Sequence, residues 1–577
     1  MIAIDFETFY SKDYSIKTLG ADAYCTHEEF DPYMVALYGE GIDYVGPTDK
    51  APWDKLDANH QLVAHNASFD SVVFKNAQRI GQIPSHLNPV WSCSANLCVY
   101  IQAPRNLKGA AEQMLGVAPD KTVRDKMKGK TIADLSEEEL KSLLEYARFD
   151  AIYCHQLWEK YEKYWPIEEQ QMARHTMTSG QRGVYVNLVK LVSDIKRLRK
   201  KKKQAEKLIP WLEETNTVAS LKLLKEYCEE QGIDVPTSTN QNDADCLAWE
   251  DKYGKDYPVV GALRDWRKSN RIMRLLETIQ LRLRPDNTLP FNLKYFGAAA
   301  TGRWSGDAGL NMQNLPRGKV FGVDVRSLFI PRPGKKFIVC DLAQIEPRCL
   351  AWIVNDTKLL HYVKKGIDIY TAHAMTTMGC AKKSDVTKET RQLAKIRVLG
   401  LGYGCGAARF RDLAASWGFH MDDIKARSIV QNYRFSNPKV TNFWEECQRD
   451  MYADMGRTFD VTLPNGRVIR YFNVAKKDGQ LVASTTRGEH PRYWYGGKIC
   501  ENIVQATARD VFTDCYRRVV DAGYEVVWTV HDELVAEVDE SNTTAREEIE
   551  RIMSTAPSWM ADCPVASEAY ETNKYTK

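Results

Sequence analysis

Two acids close separate apolar runs in the second half of the chain. Asp341 ends Phe337-Ile338-Val339-Cys340, and Asp532 lies between Glu525-Val526-Val527-Trp528-Thr529-Val530 and Leu534-Val535-Ala536-Glu537-Val538. Both runs have the β-branched, apolar content of buried strands, so each aspartate sits at a strand end, and Asp532 falls in or beside a hairpin turn with His531 and Glu533. Two strand-end carboxylates from distant segments could close on a pair of Mg²⁺ ions. A His-Asp pair also suits a phosphohydrolase metal site, but the companion histidines are missing. Between the two acids, Arg391, Lys395, Leu399 and Tyr403 recur every fourth residue. On a helix such residues drift only about 40° per step and share one broad face roughly 18 Å long. Two cations, an apolar side chain and a ring, in that order, match a triphosphate, a sugar and a base; a charged solvent face running into a Gly-rich helix end is the alternative. Gly400 and Gly402 would each cost a helix about 1 kcal/mol, which asks for close backbone approach or bending.

A second acidic set opens the chain. In Ile2-Ala3-Ile4-Asp5-Phe6-Glu7 the strand period of two places Ile2, Ile4 and Phe6 on one face and Asp5 with Glu7 on the other. Like charges so close repel unless a cation compensates, and paired oxygen ligands suit Mg²⁺ or Mn²⁺. Alone, this D-x-E describes a solvated face better than a site. Two later segments alter that balance: His65-Asn66-Ala67-Ser68-Phe69-Asp70 follows the apolar run Gln61-Leu62-Val63-Ala64, and Tyr146 and Asp150 stand four apart in a helical pattern, hence on one face.

The elements that must position these groups follow from patterning. Residues 1–165 alternate short β-rich runs with helical stretches, the last of which ends before Pro166, as in an α/β domain. Residues 166–290 carry long charged amphipathic patterns and few strand signals, as in an all-helical region. Strands return from residue 291 around a helical insertion at 355–455. With 577 residues, 27% charged and 44% apolar, the composition is that of a globular protein of several domains and excludes collagen-like, coiled-coil and low-complexity chains. A net charge of +3 gives no global field toward a polyanion, so any nucleic-acid surface is local. The 14 cysteines include no pair closer than Cys93 and Cys98, so reduced thiols in a cytosol are expected rather than disulfides or a zinc knuckle. Neither a signal peptide nor a membrane span is legible.

Taken in order, D-x-E, N-x-x-x-D and Y-x-x-x-D resemble the DEDDy superfamily of 3′-5′ exonucleases. Farther on, D-x-x-Q-I-E-x-R from Asp341, R-x-x-x-K-x-x-x-L-x-x-x-Y-G from Arg391, and Val530-His531-Asp532-Glu533 resemble motifs A, B and C of the family A (Pol I type) DNA polymerases. Thr301-Gly302-Arg303-Trp304-Ser305, Asn311-Met312-Gln313-Asn314-Leu315-Pro316 and Leu463-Pro464-Asn465-Gly466-Arg467 match further stretches of that family. The resemblance implies a ribonuclease H-like exonuclease domain over 1–165, then a right-hand polymerase with a helical thumb at 166–290, a palm at 291–354 and 456–577, and fingers at 355–455.

It also implies roles. Asp5, Glu7, Asp70 and Asp150 would hold two divalent cations, Mg²⁺ or Mn²⁺, and Tyr146 would orient the attacking water. Asp341, Asp532 and the backbone carbonyl of Leu342 would hold two more. Arg391 and Lys395 would clamp the triphosphate of a dNTP, Tyr403 would stack near the nascent or template base, and Glu346 would stand beneath the sugar 2′ position and exclude a ribose hydroxyl. Arg303 and Gln505 would feel the minor groove of primer-template DNA, with His531 at the primer end and Glu533 beside the metal site. The run Lys200, Lys201, Lys202, Lys203 is most simply a phosphate-tracking stripe, with a merely soluble helix face as the alternative. Leu399 stands where most members carry Phe or Tyr, and Leu342-Ala343 replaces the usual Tyr-Ser. The chain starts directly at the exonuclease, without the 5′ nuclease that cellular members carry in front. A bacteriophage enzyme acting as a monomer in the host cytoplasm is therefore expected.

Overall fold

The computed structural model describes residues 1–576 apart from 119–122, 124, 125, 213–217, 219, 241, 242 and 308. Two compact units emerge, one built from Met1–Arg182, Asn292–Gln313 and Gly334–Glu571, the other from Gly183–Phe291, Asn314–Pro333 and Thr572–Lys577.

In the first unit, strands β1 (Ile2–Glu7), β2 (Met34–Gly39), β3 (Ile42–Gly46), β4 (Gln61–Ala64) and β5 (Val90–Cys93) form one sheet in the order β3-β2-β1-β4-β5. The β1–β2 and β2–β3 pairs are antiparallel, while β1–β4 and β4–β5 are parallel. Alternation in β1 is realised as read: Ile2, Ile4 and Phe6 enter a core with Leu62, Val73 and Phe74, and Asp5 and Glu7 stay partly exposed. The helix Glu137–Tyr161 starts at a reciprocal cap in which Glu139 N–H donates to Ser136 Oγ at 3.2 Å and Ser136 N–H to Glu139 Oε2 at 3.0 Å.

The second unit contains β6 (Val184–Tyr185) and β7 (Thr288–Leu289), which pair antiparallel. Its body is the helix Leu188–Glu206 against the helix Pro258–Arg282, around Ala205, Trp211, Trp249, Val259 and Leu263. The helix Ile167–Arg182, which the charge pattern groups with this region, instead falls in the first unit. Its buried face explains the allegiance, because Glu169 meets Arg509 and Thr176 accepts from the Trp304 indole at 2.8 Å.

The rest of the first unit holds β8 (Leu293–Lys294) paired with β9 (Ser305–Gly306), then β10 (Lys335–Leu342). Strands β11 (Phe459–Thr462), β12 (Val468–Lys477), β13 (Gln480–Ser484) and β14 (Arg492–Trp494) form a meander. Strands β15 (Glu525–Val530), β16 (Glu533–Asp539) and β17 (Ser567–Thr572) join β10 in the order β15-β16-β10-β17. Behind that sheet the helix Gly496–Asp521 is buried over most of its length, with Ile499, Val504, Ala508, Val511 and Phe512 in the core.

The first and last parts of this unit are keyed together by Gln102, a 2% exposed residue held at φ 57°. Its amide nitrogen donates to the carbonyls of Arg470 at 2.9 Å and Thr485 at 2.8 Å, and its oxygen accepts from Arg470 N–H at 2.7 Å. The Gln102 carbonyl in turn accepts from Arg487 N–H at 3.0 Å. Buried backbone groups at the β12–β13 end are thereby satisfied from outside the hairpin.

Candidate active sites

Asp5 and Glu7 on β1, Asp70 in the helix Ala67–Arg79, and Tyr146 and Asp150 in the helix Glu137–Tyr161 all line one cleft of about 700 Å³. Strand and helices therefore converge as the D-x-E, N-x-x-x-D and Y-x-x-x-D spacings require. The turn into the Asp70 helix is fixed by His65, whose ring bonds Ser94 Oγ and the Arg105 carbonyl, both at 2.8 Å. Burial pushes the Asp70 carboxyl up to about 7, against the lowering effect of the Phe6 backbone N–H. Tyr146 is raised by burial, then by the charges of Asp150, Glu7 and Asp5, and by its hydrogen bond with Asp150, so this phenol sits inside the field of three carboxylates.

The second site forms where β10 and β16 run antiparallel. Asp341 is paired with Glu533, and Leu342 N–H donates to the Asp532 carbonyl at 3.1 Å, so the two aspartates meet at one end of the sheet. The turn carrying Asp532 has His531 at φ 55° and is pinned by Gln313, which accepts from His531 N–H at 2.6 Å and donates to the Thr529 carbonyl at 2.9 Å. Gln313 is 3% exposed, and this pinning gives the N-x-Q-N stretch a physical role. Burial raises Asp532 to about 6; Arg303 lowers it, while Glu346 and Asp341 raise it further. Arg303 stands 3.8 Å from Asp532 and is ion-paired with Glu346, which also accepts from the Tyr403 hydroxyl at 3.2 Å. Its Nε is buried with no protein acceptor. Gln505 donates to Glu501 Oε1 at 3.2 Å, and the Glu501 carboxyl is raised by burial and by Glu346, which places that pair beside the same acids.

Four residues expected on one α-helical face are arranged differently. The regular helix is Lys388–Ile396; Arg397–Leu401 continues as a π-helical turn carrying Leu399, and Tyr403 lies in the turn beyond it. The turn as formed has room only for glycine at two positions, since a Cβ at Gly400 would come 2.9 Å from Leu413 and one at Gly402 2.6 Å from the Val398 carbonyl oxygen. Arg391 is salt-bridged to Asp368 at 3.0 Å and lies over the Tyr370 ring, while Lys395 lies 4.9 Å over Trp417. The lysine run of the other unit is divided as well. Lys200 and Lys203 are exposed, but Lys201 pairs with Asp265 at 2.9 Å and Lys202 reaches Glu206 and the Trp266 ring.

The candidate donors at both sites are oxygen atoms, the type hard cations prefer. Among the described residues no three His, Cys, Asp or Glu side chains enclose a single point. Each site instead offers a few carboxylates, of which Asp70 is raised by burial and Asp532 by burial together with the charges of Glu346 and Asp341. Mg²⁺ is commonly bound by one or two carboxylates, with water and substrate phosphate oxygens completing its shell. No helix among the described residues is long and apolar enough to cross a membrane.

The family model "DNA polymerase family A" matches residues 190–577, and the model "3'-5' exonuclease" matches residues 56–164. Among curated proteins, a DNA polymerase of Bacillus phage SP02 is 26% identical over an alignment of 668 positions covering 100% of this chain and 99% of that protein. DNA polymerase I of Aquifex aeolicus is 27% identical over 56% of this chain and 52% of its own length, so the chain spans about half of that relative. Among solved structures, the POL domain of Pol1 from M. smegmatis, in complex with DNA primer-template and dNTP, superposes with a TM-score of 0.70 over 100% of this chain and 95% of that one; at 17% identity the likeness is one of fold. Asp70, Tyr146 and Asp150 lie within the residues matched to the exonuclease, and Asp341 and Asp532 within those matched to the polymerase; with a family model covering more than half of its length, the chain belongs to DNA polymerase family A and carries a 3′-5′ exonuclease domain ahead of its polymerase domain.

Proposed function

We propose that the enzyme copies a DNA template from deoxynucleoside triphosphates and trims the growing 3′ end, the two activities residing in the two acidic sites. The observation that carries this reading is the β10–β16 register, which sets Asp341 beside Glu533 and Asp532 at the head of one sheet, within reach of Arg303 and Glu346. Divalent cations, held by Asp341, Asp532 and the Leu342 carbonyl at one site and by Asp5, Glu7, Asp70 and Asp150 at the other, would supply Lewis-acid stabilisation of the charge on reacting and departing oxygens.

The chain's own side chains do the rest. Arg391 and Lys395 bind the triphosphate, Arg391 exchanging Asp368 for phosphate oxygens. Glu346, fixed between Arg303 and Tyr403, blocks a 2′-hydroxyl and selects deoxynucleotides. Arg303 and the amide of Gln505 meet minor-groove acceptors of the primer-template duplex. Tyr403 stacks near the base, Leu399 backs the sugar, and His531 abuts the primer end. Tyr146 orients the water that attacks the terminal phosphodiester. In this reading 291–354 with 456–577 is the palm, 355–455 the fingers and the helical region the thumb, in which Lys200 and Lys203 track phosphates. The full-length likeness to a phage protein supports phage DNA replication in the host cytoplasm, and the enzyme is read as acting as a monomer.

The deciding experiment assays primer extension and single-strand digestion on the same preparations with Mg²⁺. Asp532→Asn is expected to abolish extension with dNTPs and leave digestion intact, and the Asp5→Ala/Glu7→Ala double variant to do the reverse. Digestion retained by the double variant, or extension retained by Asp532→Asn, refutes the assignment.

A further inference from the structure

One wall of the exonuclease cleft does not come from the exonuclease region. Asn292, Leu293, Lys294, Tyr295 and Asp307 line it, although these residues lie within the stretch matched to the polymerase family. Leu293 and Lys294 belong to the β8–β9 ribbon, in which Leu293 faces Gly306 and Lys294 faces Ser305, and Asn292, Tyr295 and Asp307 flank its strands. The ribbon is seated firmly. Arg105 donates to the Tyr295 carbonyl and, at 3.1 Å, to Asn96, and the Tyr295 hydroxyl is buried on Glu169 at 2.6 Å.

At its open end, Lys294 Nζ lies 2.9 Å from Asp307 Oδ1, and Asn292 donates to Asp307 Oδ2 at 3.2 Å. The side chains of Lys294 and Asp307 are 39% and 29% exposed, so the pair faces the cleft and is not a core salt bridge. Such a pair contributes little to folding. Its placement is informative because the chemical end of the same cleft is purely acidic. A single strand entering there brings one phosphate to Asp5, Glu7, Asp70 and Asp150 and must lodge the preceding phosphates farther along the wall. Of the other cations lining the cleft, Lys17 belongs to the exonuclease region itself, and the partly buried Arg105 spends donors on Asn96 and Tyr295. Lys294 has a long flexible stem and a partner it can leave.

We infer that Lys294 is a phosphate contact for the single strand being trimmed, held ready by Asp307, and thus a binding residue that the polymerase region lends to the exonuclease. This rests on the exonuclease reading proposed above. The second strand of the ribbon follows two residues after Arg303, so one short segment reaches both the cleft and the Glu346–Asp532 cluster.

The test uses the full chain with Mg²⁺ and a 3′-terminated single-stranded oligonucleotide, together with anisotropy binding of a labelled oligonucleotide in the Asp5→Ala/Glu7→Ala background. Lys294→Ala is expected to raise KM and the anisotropy Kd by about five- to tenfold, with kcat within twofold. It should also flatten the dependence of log Kd on log salt by about one phosphate contact, and Lys294→Arg should restore both. Asp307→Asn is expected to act in the opposite direction and tighten binding, because it removes a negative charge beside the polyanion and frees the lysine. Parallel losses in Lys294→Ala and Asp307→Asn mark a merely structural ion pair and overturn the inference, as does an unchanged Kd or salt slope in Lys294→Ala. Wild-type protein that fails to digest single strands overturns the exonuclease reading instead, and the anisotropy series separates that failure from this one.

Discussion

Replacing Arg509 with Met tests how the core of the first unit supports its polymerase site. Arg509 is 1% exposed and donates to Glu169 Oε2 at 2.8 Å, to the Gly302 carbonyl at 3.0 Å and to Asp510 Oδ1 at 3.3 Å. Arg467 adds bonds to Asp510 and to the Thr301 carbonyl at 3.2 Å, so two buried guanidiniums hold the two carbonyls that precede Arg303. Burial raises the Glu169 carboxyl, but the charge and hydrogen bonds of Arg509 outweigh it and the net shift is downward; at Asp510 burial prevails over both arginines and the net shift is upward. Arg509→Met keeps most of the packing volume yet strands Glu169 with only the Tyr295 hydroxyl at 2.6 Å. The expected loss is about 3–5 kcal/mol, the usual result of breaking a buried pair from one side. Removing both charges, in Arg509→Met/Glu169→Met, should recover most of it, giving a coupling energy of about 2 kcal/mol or more. The assay is urea unfolding followed by tryptophan fluorescence at several pH values. In the wild type, Glu169 has a lowered folded pKa, so its stabilisation is present above the ordinary glutamate range and fades as pH falls through the folded value. In Arg509→Met the stranded carboxyl is raised, so acid relieves it, and the gap to wild type should narrow by up to about 1.4 kcal/mol per pH unit below that raised value. Additive single and double losses, or a gap independent of pH, would refute the claim that Arg509 and Glu169 act as a unit.

Three further outcomes are expected. Gly402→Ala, with its new Cβ against the Val398 carbonyl oxygen at 2.6 Å, should distort the π-helical turn and lower kcat/KM for dNTP incorporation by about tenfold or more, leaving single-strand digestion unaffected. Gln102→Ala leaves the carbonyls of Arg470 and Thr485 and the Arg470 N–H without their partner; hydrogen exchange in the β12–β13 hairpin should speed by a factor corresponding to about 1–3 kcal/mol. His373 is lowered to about 3, first by burial and then by the charge of Arg397, so it stays neutral in the native protein and stability falls as pH drops from about 6.5 toward 3. His373→Gln should flatten that part of the urea-denaturation profile by up to about 1.4 kcal/mol per pH unit.

Period and spacing made the carboxylates legible. An alternating strand must put Asp5 and Glu7 on one face, and a helical step of four must put Tyr146 beside Asp150, because these relations are local. The hairpin around Asp532 was readable for the same reason. What escaped was non-local or packing-dependent. Residues Arg391 to Tyr403 read as one helix face because a four-residue spacing does not register where an α-helix passes into a π turn, as it does after Ile396. The unbroken lysine run looked uniform in sequence, yet Asp265, Glu206 and Trp266 claim its two central members. That Arg303 would sit among the acids could be guessed only from the family motif, and nothing in the order of residues placed Lys294 and Asp307 on the exonuclease wall. Gln102 carried no signal at all, since neither its left-handed backbone nor its distant carbonyl acceptors leave a trace in composition.

Because Gln102 grips main-chain atoms, the seam it makes is indifferent to which side chains Arg470 and Thr485 present. Homologues could drift freely at those two positions and still interlock, whereas insertion of a single residue into the hairpin would misalign every contact at once. Anyone grafting this trimming module onto another synthetic body should therefore match loop length first and surface chemistry second.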